Sequence, residues 1–477
     1  MGATPIYAAI KQYCEENKLR LHMPGHIGGR GIKSQPISAL AAFDLTEVTG
    51  LDDLHLPQTA IKEASLLLAQ AFGARESFFL VNGATSGIHA LLMSLQTSSG
   101  KVLLPRNAHR SFYGGMVLAG TSPVYIPCQL DPDLGIALAV GSQDIGDLLA
   151  ANYDIEAVFV TSPSFYGTCC DIGSISRAAQ AANSLLLVDE AHGGHFPFHP
   201  AYPQSALHDG ADAVVNGLHK TLPVLNQGAC LHLGKGFGQG ARVFSAYSLL
   251  TTTSPSYPIL ASIDLARDLM IESGEALLDS AWHLSREYRG KIQAIKGLHC
   301  YNEQELRRLG EVKEVDPLKL LIIPKGLSID GFELARLLRD SYHIEVEAAD
   351  SKFILAMMSM FHERPDWEKL YRSLEDIAGR YTGLRKESIK TELPPLPQVE
   401  LLPRDAFFAS CRTVRLEESK GLIAAELVAP YPPGIPCLLP GELISSEIFS
   451  YLDYLRKSKV RLQGPHDPSL NYIKVIE

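Results

Sequence analysis

Between Ile61 and Thr253 the chain alternates short apolar runs with helix-like segments. "ESFFLVNG", "KVLLPRNAH", "SPVYIPC", "IEAVFVTSPSFYG", "SLLLVDEAHG" and "ADAVVNGLHK" share one form, in which several consecutive apolar residues run into a polar loop. Such runs predict strands buried on both faces. "TSGIHALLMSLQ", "SFYGGMVLAG" and "ISRAAQAAN" read as intervening helices. Strands linked by helical crossovers predict an α/β domain with a mainly parallel sheet, whose ligands bind at the carboxyl ends of the strands.

Beyond "TTTSPSYP" a helical pattern runs from about residue 259 to 295. A smaller α/β unit follows, with strands at "PLKLLIIPKG" and "SKFILAMMSM" and helices at "SIDGFELARLLRDSY" and "RPDWEKLYRSLEDIAGRY". The Pro-rich "ELPPLPQVELLPRDAFF" predicts a linker into a C-terminal segment. The expected organisation is an N-terminal arm (1–60), a large ligand-binding domain (61–275), a small α/β domain (276–391) and a C-terminal domain (392–477).

Composition narrows this picture little. With 46% hydrophobic and 20% charged residues among 477, the balance is globular. A net charge of −10 argues against a nucleic-acid surface, which needs clustered Lys and Arg. The eight cysteines form no CxxC pair, so a zinc site or a thioredoxin-like centre has no support, and reduced, buried thiols are expected. Charges interrupt the N-terminal apolar residues, and no run approaches the ~18 needed to span a bilayer. A cytoplasmic protein is expected.

Candidate chemistry sits at the strand ends. Lys220 follows one apolar run and Asp189 ends another. A lysine that attacks a carbonyl must lose its proton readily, and a pyridine cofactor needs a carboxylate at its ring nitrogen. Each residue alone is equally compatible with a solvated lysine or a helix-capping acid. "VNGATSGIH" brings Ala84, Thr85 and Ser86 into a helix start, which suits a phosphate but also an ordinary cap. The stretch matches neither GxxxxGK[ST] nor GxGxxG, so nucleotide folds are not favoured. His109 and Ser162 lie in two further strand-end loops. Five such loops with matching chemistry in one domain are hard to reconcile with independent structural roles.

This order of motifs resembles the Orn/Lys/Arg decarboxylases, pyridoxal-phosphate enzymes of the aspartate-aminotransferase fold (fold type I), in their short bacterial form. "LHMPGHIGG", "DLTEVTGLDDLHLP", "VDEAHG", "HKTLP", "TSPSYPI" and "LVAPYPPGIPCLLPGE" carry the likeness over nearly the whole chain. The resemblance implies a fold type I large domain, a smaller α/β domain and a decarboxylase-type C-terminal domain. It implies that Lys220 is the Schiff-base lysine and Asp189 the ring-nitrogen partner. His109 is expected to stack on the cofactor ring. Ala84, Thr85, Ser86 and His219 are expected to hold the phosphate, with Ser162 near the ring hydroxyl and His192 close by. Ser254 and Ser256 are expected to reach phosphate or substrate across a dimer interface. Glu47, Asp52, Asp53, Glu426 and Glu442 are candidate acceptors for the substrate's distal cation, although acids beside turns also cap helices. No metal is expected.

The implied reaction is decarboxylation of arginine, lysine or ornithine, with arginine ahead, in a homodimer or dimer-built oligomer serving polyamine synthesis. Another pyridoxal-phosphate reaction (transamination, aldol cleavage or elimination) and a weakly active regulatory relative are the alternatives. They stay open because the chain departs from the family at the lysine. The usual Ser-Thr-His-Lys is here Gly217-Leu218-His219-Lys220, and Asn226 and Gln227 follow where small or apolar residues are usual. Losing one charge-assisted hydrogen bond costs about 1.5–3 kcal/mol, or roughly tenfold to a hundredfold in cofactor affinity.

Overall fold

The computed structural model describes residues 3–95, 100–131, 133–383, 394–431, 434–458 and 460–477. The chain divides into two compact units, Met1–Ser94 with Leu186–Ser280, and Leu95–Leu185 with Ala281–Glu477.

The first unit is built on a run of strands in the order Glu76–Leu80, Ala229–Leu233, Ala213–Asn216, Leu185–Asp189. Ala213–Asn216 and Ala229–Leu233 are buried along their whole length, including the polar Asn216 and His232. Leu185–Asp189 and Ala213–Asn216 are parallel, with Asp189 opposite Val215. Both therefore deliver their following loops to the same edge. Ala229–Leu233 is antiparallel to both its neighbours. This strand is not among the apolar runs read from the sequence, since His232 interrupts it.

The helix Gly83–Ser94 starts two residues before the expected Thr85, and Gln96, at the expected far end, lies outside the described residues. A side chain at Gly87 would place its Cβ 2.7 Å from Leu80 Cδ1 and 3.1 Å from Val215 Cγ1, so only glycine permits this approach of helix to sheet. Helix Ala60–Phe72 buries Ile61, Ala64, Leu68, Ala69 and Phe72, one face at helical spacing, and stops at Gly73, which adopts the left-handed conformation. The long helix Tyr257–Gln293 agrees with its expected span to within two residues at each end.

The second unit carries the parallel strands Ile155–Thr161, Lys101–Pro105 and Ser122–Ile126. It also holds a four-stranded sheet whose pairs are all antiparallel, Ala348–Ala349, Ile354–Met357, Lys319–Ile323 and His299–Cys300. The helices Gly331–Tyr342 and Arg364–Arg380 match the expected helices there and pack on that sheet's apolar core. Part of the expected Pro-rich linker is a helix, Pro403–Phe408, with proline in its first turn, where the missing N–H costs nothing. Glu392 and Leu393 of that stretch lie outside the described residues. The C-terminal residues form paired strands and the helix Ser446–Ser458 around Leu416, Val428, Leu438, Ile444, Leu452 and Ile473. All eight cysteines are free; Cys411 is exposed, and Cys14 and Cys128 are half-buried, which differs from the uniformly buried thiols expected.

Candidate active site

In the first unit, Asp189 ends its strand 4% exposed, and its Oδ1 accepts the Ala191 N–H at 3.2 Å. The neighbouring strand runs through Gly217 into a single 3-10 turn, Leu218–Lys220, closed by a bond from the Lys220 N–H to the Gly217 carbonyl. This turn directs Lys220 Nζ to within 3.1 Å of His192 Nε2, on the loop that follows Asp189. Burial raises the Asp189 carboxyl above its ordinary value, against the pull of the Lys220 charge. A carboxylate so buried gains most from a partner carrying positive charge. Asp189, His192 and Lys220 thus share one strand edge, as the sequence predicted.

The helix start at Gly83 is joined to the same turn by the loop before Ala229. Gln227 accepts the Gly83 N–H at 2.9 Å, and Gly228 accepts both the backbone N–H (3.1 Å) and the Nδ1–H (3.0 Å) of His219. Ala84 is half-buried and Thr85 exposed, while Ser86 is buried with its hydroxyl donating to the Gly83 carbonyl at 2.9 Å. Sequence reasoning noted Gln227 only as a departure and missed the bridge it builds. The Gly-containing turn "NQG" was the available signal.

The acidic motif docks on the segment that carries the candidate serines. His55 Nε2 lies 2.9 Å from the Thr252 carbonyl, and the Tyr257 hydroxyl donates to the Asp52 carbonyl at 2.5 Å. Ser254 is exposed and Ser256 half-buried. Glu47 is half-buried and accepts the Thr46 hydroxyl at 2.5 Å; Asp53 is exposed and accepts the His55 N–H at 2.7 Å. Burial, and then the charges of Glu47, Asp52 and Asp53, keep the Tyr257 hydroxyl protonated. Asp52 differs from a free acceptor. Its Oδ1 takes the N–H groups of Asp53 and Gln58, in the approach to the helix Ala60–Phe72, and its Oδ2 takes those of Thr59, Ile61 and Lys62, capping the helix start.

Directly after Asp189 lies Glu190, which sequence reasoning passed over. It is 2% exposed, its Oε1 accepts the Ala206 N–H at 2.7 Å and its Oε2 the Asn216 amide at 3.0 Å. Burial pushes its carboxyl up to about 8 despite those donors, so at neutral pH it holds a proton.

In the second unit, His109 is the N-cap of helix Arg110–Ala119. Its Nδ1 accepts the Ser111 N–H at 3.3 Å and lies 2.8 Å from the Ser111 hydroxyl. Accepting at Nδ1 puts the neutral ring's proton on Nε2. Ser162 is buried and its hydroxyl oxygen accepts the Cys170 N–H at 3.1 Å. Glu426 accepts the His466 and Lys474 N–H groups at 2.7 and 2.9 Å, joining C-terminal segments. Glu442, 1% exposed, is paired through both oxygens with Arg106. Like Asp52, these two acids are engaged within their own unit, because a buried carboxylate must find donors on folding. Among the described residues no helix is long and apolar enough to cross a membrane.

Comparison with known proteins supplies the family. The model described as Orn/Lys/Arg decarboxylase, major domain, matches residues 4–366, and that described as Orn/Lys/Arg decarboxylase, C-terminal domain, matches 385–466. The arginine decarboxylase of Bacillus subtilis (strain 168) is 34% identical over 99% of this chain and 98% of its own length. The constitutive lysine decarboxylase of Escherichia coli (strain K12) is 23% identical over 94% of this chain and 77% of its own. The solved structure of the E. coli constitutive lysine decarboxylase superposes with a TM-score of 0.83, at 20% identity, over 100% of this chain and 82% of that one. A NifS-like protein superposes with a TM-score of 0.55 at 15% identity, over 80% of this chain and 96% of that one. These structural likenesses establish the fold type I architecture, with its mostly parallel sheet and C-terminal domain. Sequence identity along the full chain, both family models and the strand-edge lysine agree: this chain belongs to the Orn/Lys/Arg decarboxylase family and is a decarboxylase of basic amino acids.

Proposed function

We propose that the substrate is arginine, that the products are its decarboxylated amine and CO2, and that pyridoxal phosphate is the cofactor, held at Lys220. The observation that carries this reading is the Lys220–His192 contact of 3.1 Å on the strand edge that also ends in buried Asp189. Arginine is favoured over lysine because relatives named arginine decarboxylase are 33–34% identical over 92–99% of this chain, against 23% for those of E. coli and Pseudomonas aeruginosa named lysine decarboxylase.

The residues fit such a cofactor. Asp189 offers a buried anion suited to a protonated ring nitrogen. Ala84, Thr85, Ser86 and His219 surround a helix N-terminus suited to a phosphate. A Cβ at Gly217 would lie 3.0 Å from the Ala191 carbonyl and 3.4 Å from Lys220 Cδ, so the glycine keeps the lysine's stem close to the loop after Asp189. Thr221 Oγ1, beside Lys220, is buried with no partner among the described residues. The bound cofactor supplies an electron sink for the pair released as the carboxylate departs. Asp189 would hold the ring nitrogen's proton, and His109, its Nε2–H fixed by the Nδ1 cap, is the residue proposed to stack on the ring. Ser162 is the residue proposed for the ring hydroxyl. Lys220 Nζ, which can exchange a proton with His192 Nε2, delivers to Cα the proton that replaces CO2. Glu47 and Asp53 are the acceptors proposed for the guanidinium; Asp52, Glu426 and Glu442 are already engaged.

The domain boundaries 1–60, 61–275, 276–391 and 392–477, a cytoplasmic location, a role in polyamine supply and a homodimer with Ser254 and Ser256 reaching the partner's site complete the reading. The test is mass spectrometry of products after the purified protein, with pyridoxal phosphate, meets arginine, lysine and ornithine separately. The expected result is the CO2-shortened amine from arginine, abolished by Lys220→Ala. No amine from any of the three, with pyridoxal phosphate bound at Lys220, overturns the reading.

A further inference from the structure

Arg106 directly follows the strand Lys101–Pro105 and is 4% exposed. A guanidinium buried this deeply must have its donors and its charge matched. Nη1 and Nη2 donate to the two oxygens of Glu442 at 2.5 and 2.8 Å, and Nε donates to the Pro436 carbonyl at 2.8 Å. The guanidinium also lies over the Tyr125 ring, 4.7 Å from its centroid. Glu442 is held in turn by the Leu439 N–H at 2.7 Å. The signature segment "LVAPYPPGIPCLLPGE" is thereby fastened to the first residue after a strand whose loop carries His109.

That loop has little slack. The Arg106 N–H bonds the Ile126 carbonyl at 3.0 Å, the Ala108 N–H bonds the Pro105 carbonyl at 3.0 Å, and His109 then caps helix Arg110–Ala119. A second fastening grips the far end of the helix. Arg404 Nε donates to the Val117 carbonyl at 2.8 Å, its Nη2 donates to the Leu118 carbonyl, and the Tyr113 hydroxyl meets the Pro403 carbonyl at 3.4 Å. The helix and its histidine cap are held at both ends by residues that follow the major domain.

We infer that Glu442, acting through the bidentate Arg106 guanidinium, is a positioning residue that fixes the direction in which the His109 ring is presented. A buried ion pair adds little net stability over apolar residues of similar volume, whereas its planar two-bond geometry defines orientation. The inference rests on the proposed role of His109 against the cofactor ring.

The test uses the full-length protein loaded with pyridoxal phosphate and compares Arg106→Met/Glu442→Met, Glu442→Gln and Glu442→Asp with the unaltered protein. Amide hydrogen exchange over residues 106–116, visible absorption of the bound cofactor, thermal midpoint, kcat and KM are read. The double variant is expected to keep its thermal midpoint, yet to exchange about tenfold faster over 106–116 and show a shifted cofactor absorption. Its kcat is expected to fall about tenfold to a hundredfold with little change in KM. Glu442→Gln follows the double variant in exchange, absorption and kcat but, leaving the Arg106 charge unmatched, lowers the thermal midpoint, and Glu442→Asp recovers part of the exchange protection and of kcat. Unchanged exchange, absorption and kcat in a folded double variant overturn the inference, as does a double variant that loses only stability. If the double variant does not fold, Glu442→Gln against Glu442→Asp decides by the same readings. An unaltered enzyme that makes no amine counts against the proposed function, while exchange and absorption still decide the positioning role.

Discussion

Replacing Asp52 with Asn separates a helix cap from a substrate acceptor. The carboxylate takes backbone N–H groups on both oxygens, at 2.9 Å from Gln58, Thr59 and Ile61, and at 3.1 and 3.3 Å from Asp53 and Lys62. An amide offers one oxygen. Turned toward Thr59, Ile61 and Lys62, it points its N–H2 at the donors of Asp53 and Gln58; turned the other way, it orphans the opposite set. Either rotamer loses the charge facing the helix N-terminus and leaves at least two donors without their acceptor. Hydrogen bonds to charged groups are worth about 1.5–3 kcal/mol each, and shared donors do not add fully, so a loss of about 2–3 kcal/mol is expected. A loss of ~2 kcal/mol in local stability is about a thirtyfold increase in opening.

The assay is hydrogen exchange of the amides in residues 58–66, together with KM for arginine. Exchange is expected to accelerate about thirtyfold, with KM nearly unchanged. The effect should depend on pH. Burial opposes ionisation of Asp52, but the N–H groups of Gln58, Thr59, Lys62 and Ile61 outweigh it and hold the carboxyl below its ordinary value. A depressed folded value means the contribution is complete above the unfolded value of about 3.9 and fades as pH falls through the lower folded value. The two proteins should therefore converge below about pH 4. Unchanged exchange with a raised KM would refute the capping argument and return Asp52 to the substrate.

Gly217→Ser restores the family's hydroxyl, and Gly217→Ala measures its steric cost, since either Cβ meets the Ala191 carbonyl at 3.0 Å. Serine should bind pyridoxal phosphate about tenfold to a hundredfold tighter than alanine in an absorbance titration; equal affinities would show that no phosphate oxygen is in reach. Glu190, raised to about 8 against roughly 4.3 when unfolded, carries its proton in the folded state over that interval. Its contribution is complete below the unfolded value and is lost as pH rises through the folded one, so the thermal midpoint should decline from about pH 5 to about pH 8 and level off above it, and Glu190→Gln should flatten the decline. Identical slopes in the two proteins would discard the buried-proton argument. Gly87→Ala forces a Cβ within 2.7 Å of Leu80 Cδ1 and should cost about 1–3 kcal/mol in urea unfolding; no loss would mean that helix and sheet can separate freely.

Much of this protein was legible along the chain because its information is local. Unbroken apolar runs named the strands, and helical spacing named Gly83–Ser94, Gly331–Tyr342 and Arg364–Arg380. Parallel neighbours project their following loops to one edge, so the runs ending at Asp189 and in the turn to Lys220 were bound to share it once they paired. The motif order carried the family. What the chain could not declare was which donors each acid would meet. Asp52, Asp53, Glu426 and Glu442 look alike as acids near turns, yet one caps a helix, one stays exposed, one joins C-terminal segments and one holds Arg106. The antiparallel strand Ala229–Leu233 was likewise invisible, because pairing with Glu76–Leu80 is decided across a wide sequence separation. A carboxylate's role depends on the charges and N–H groups within about 3 Å of its oxygens. Those neighbours come from distant parts of the chain, and only the tertiary structure brings them there.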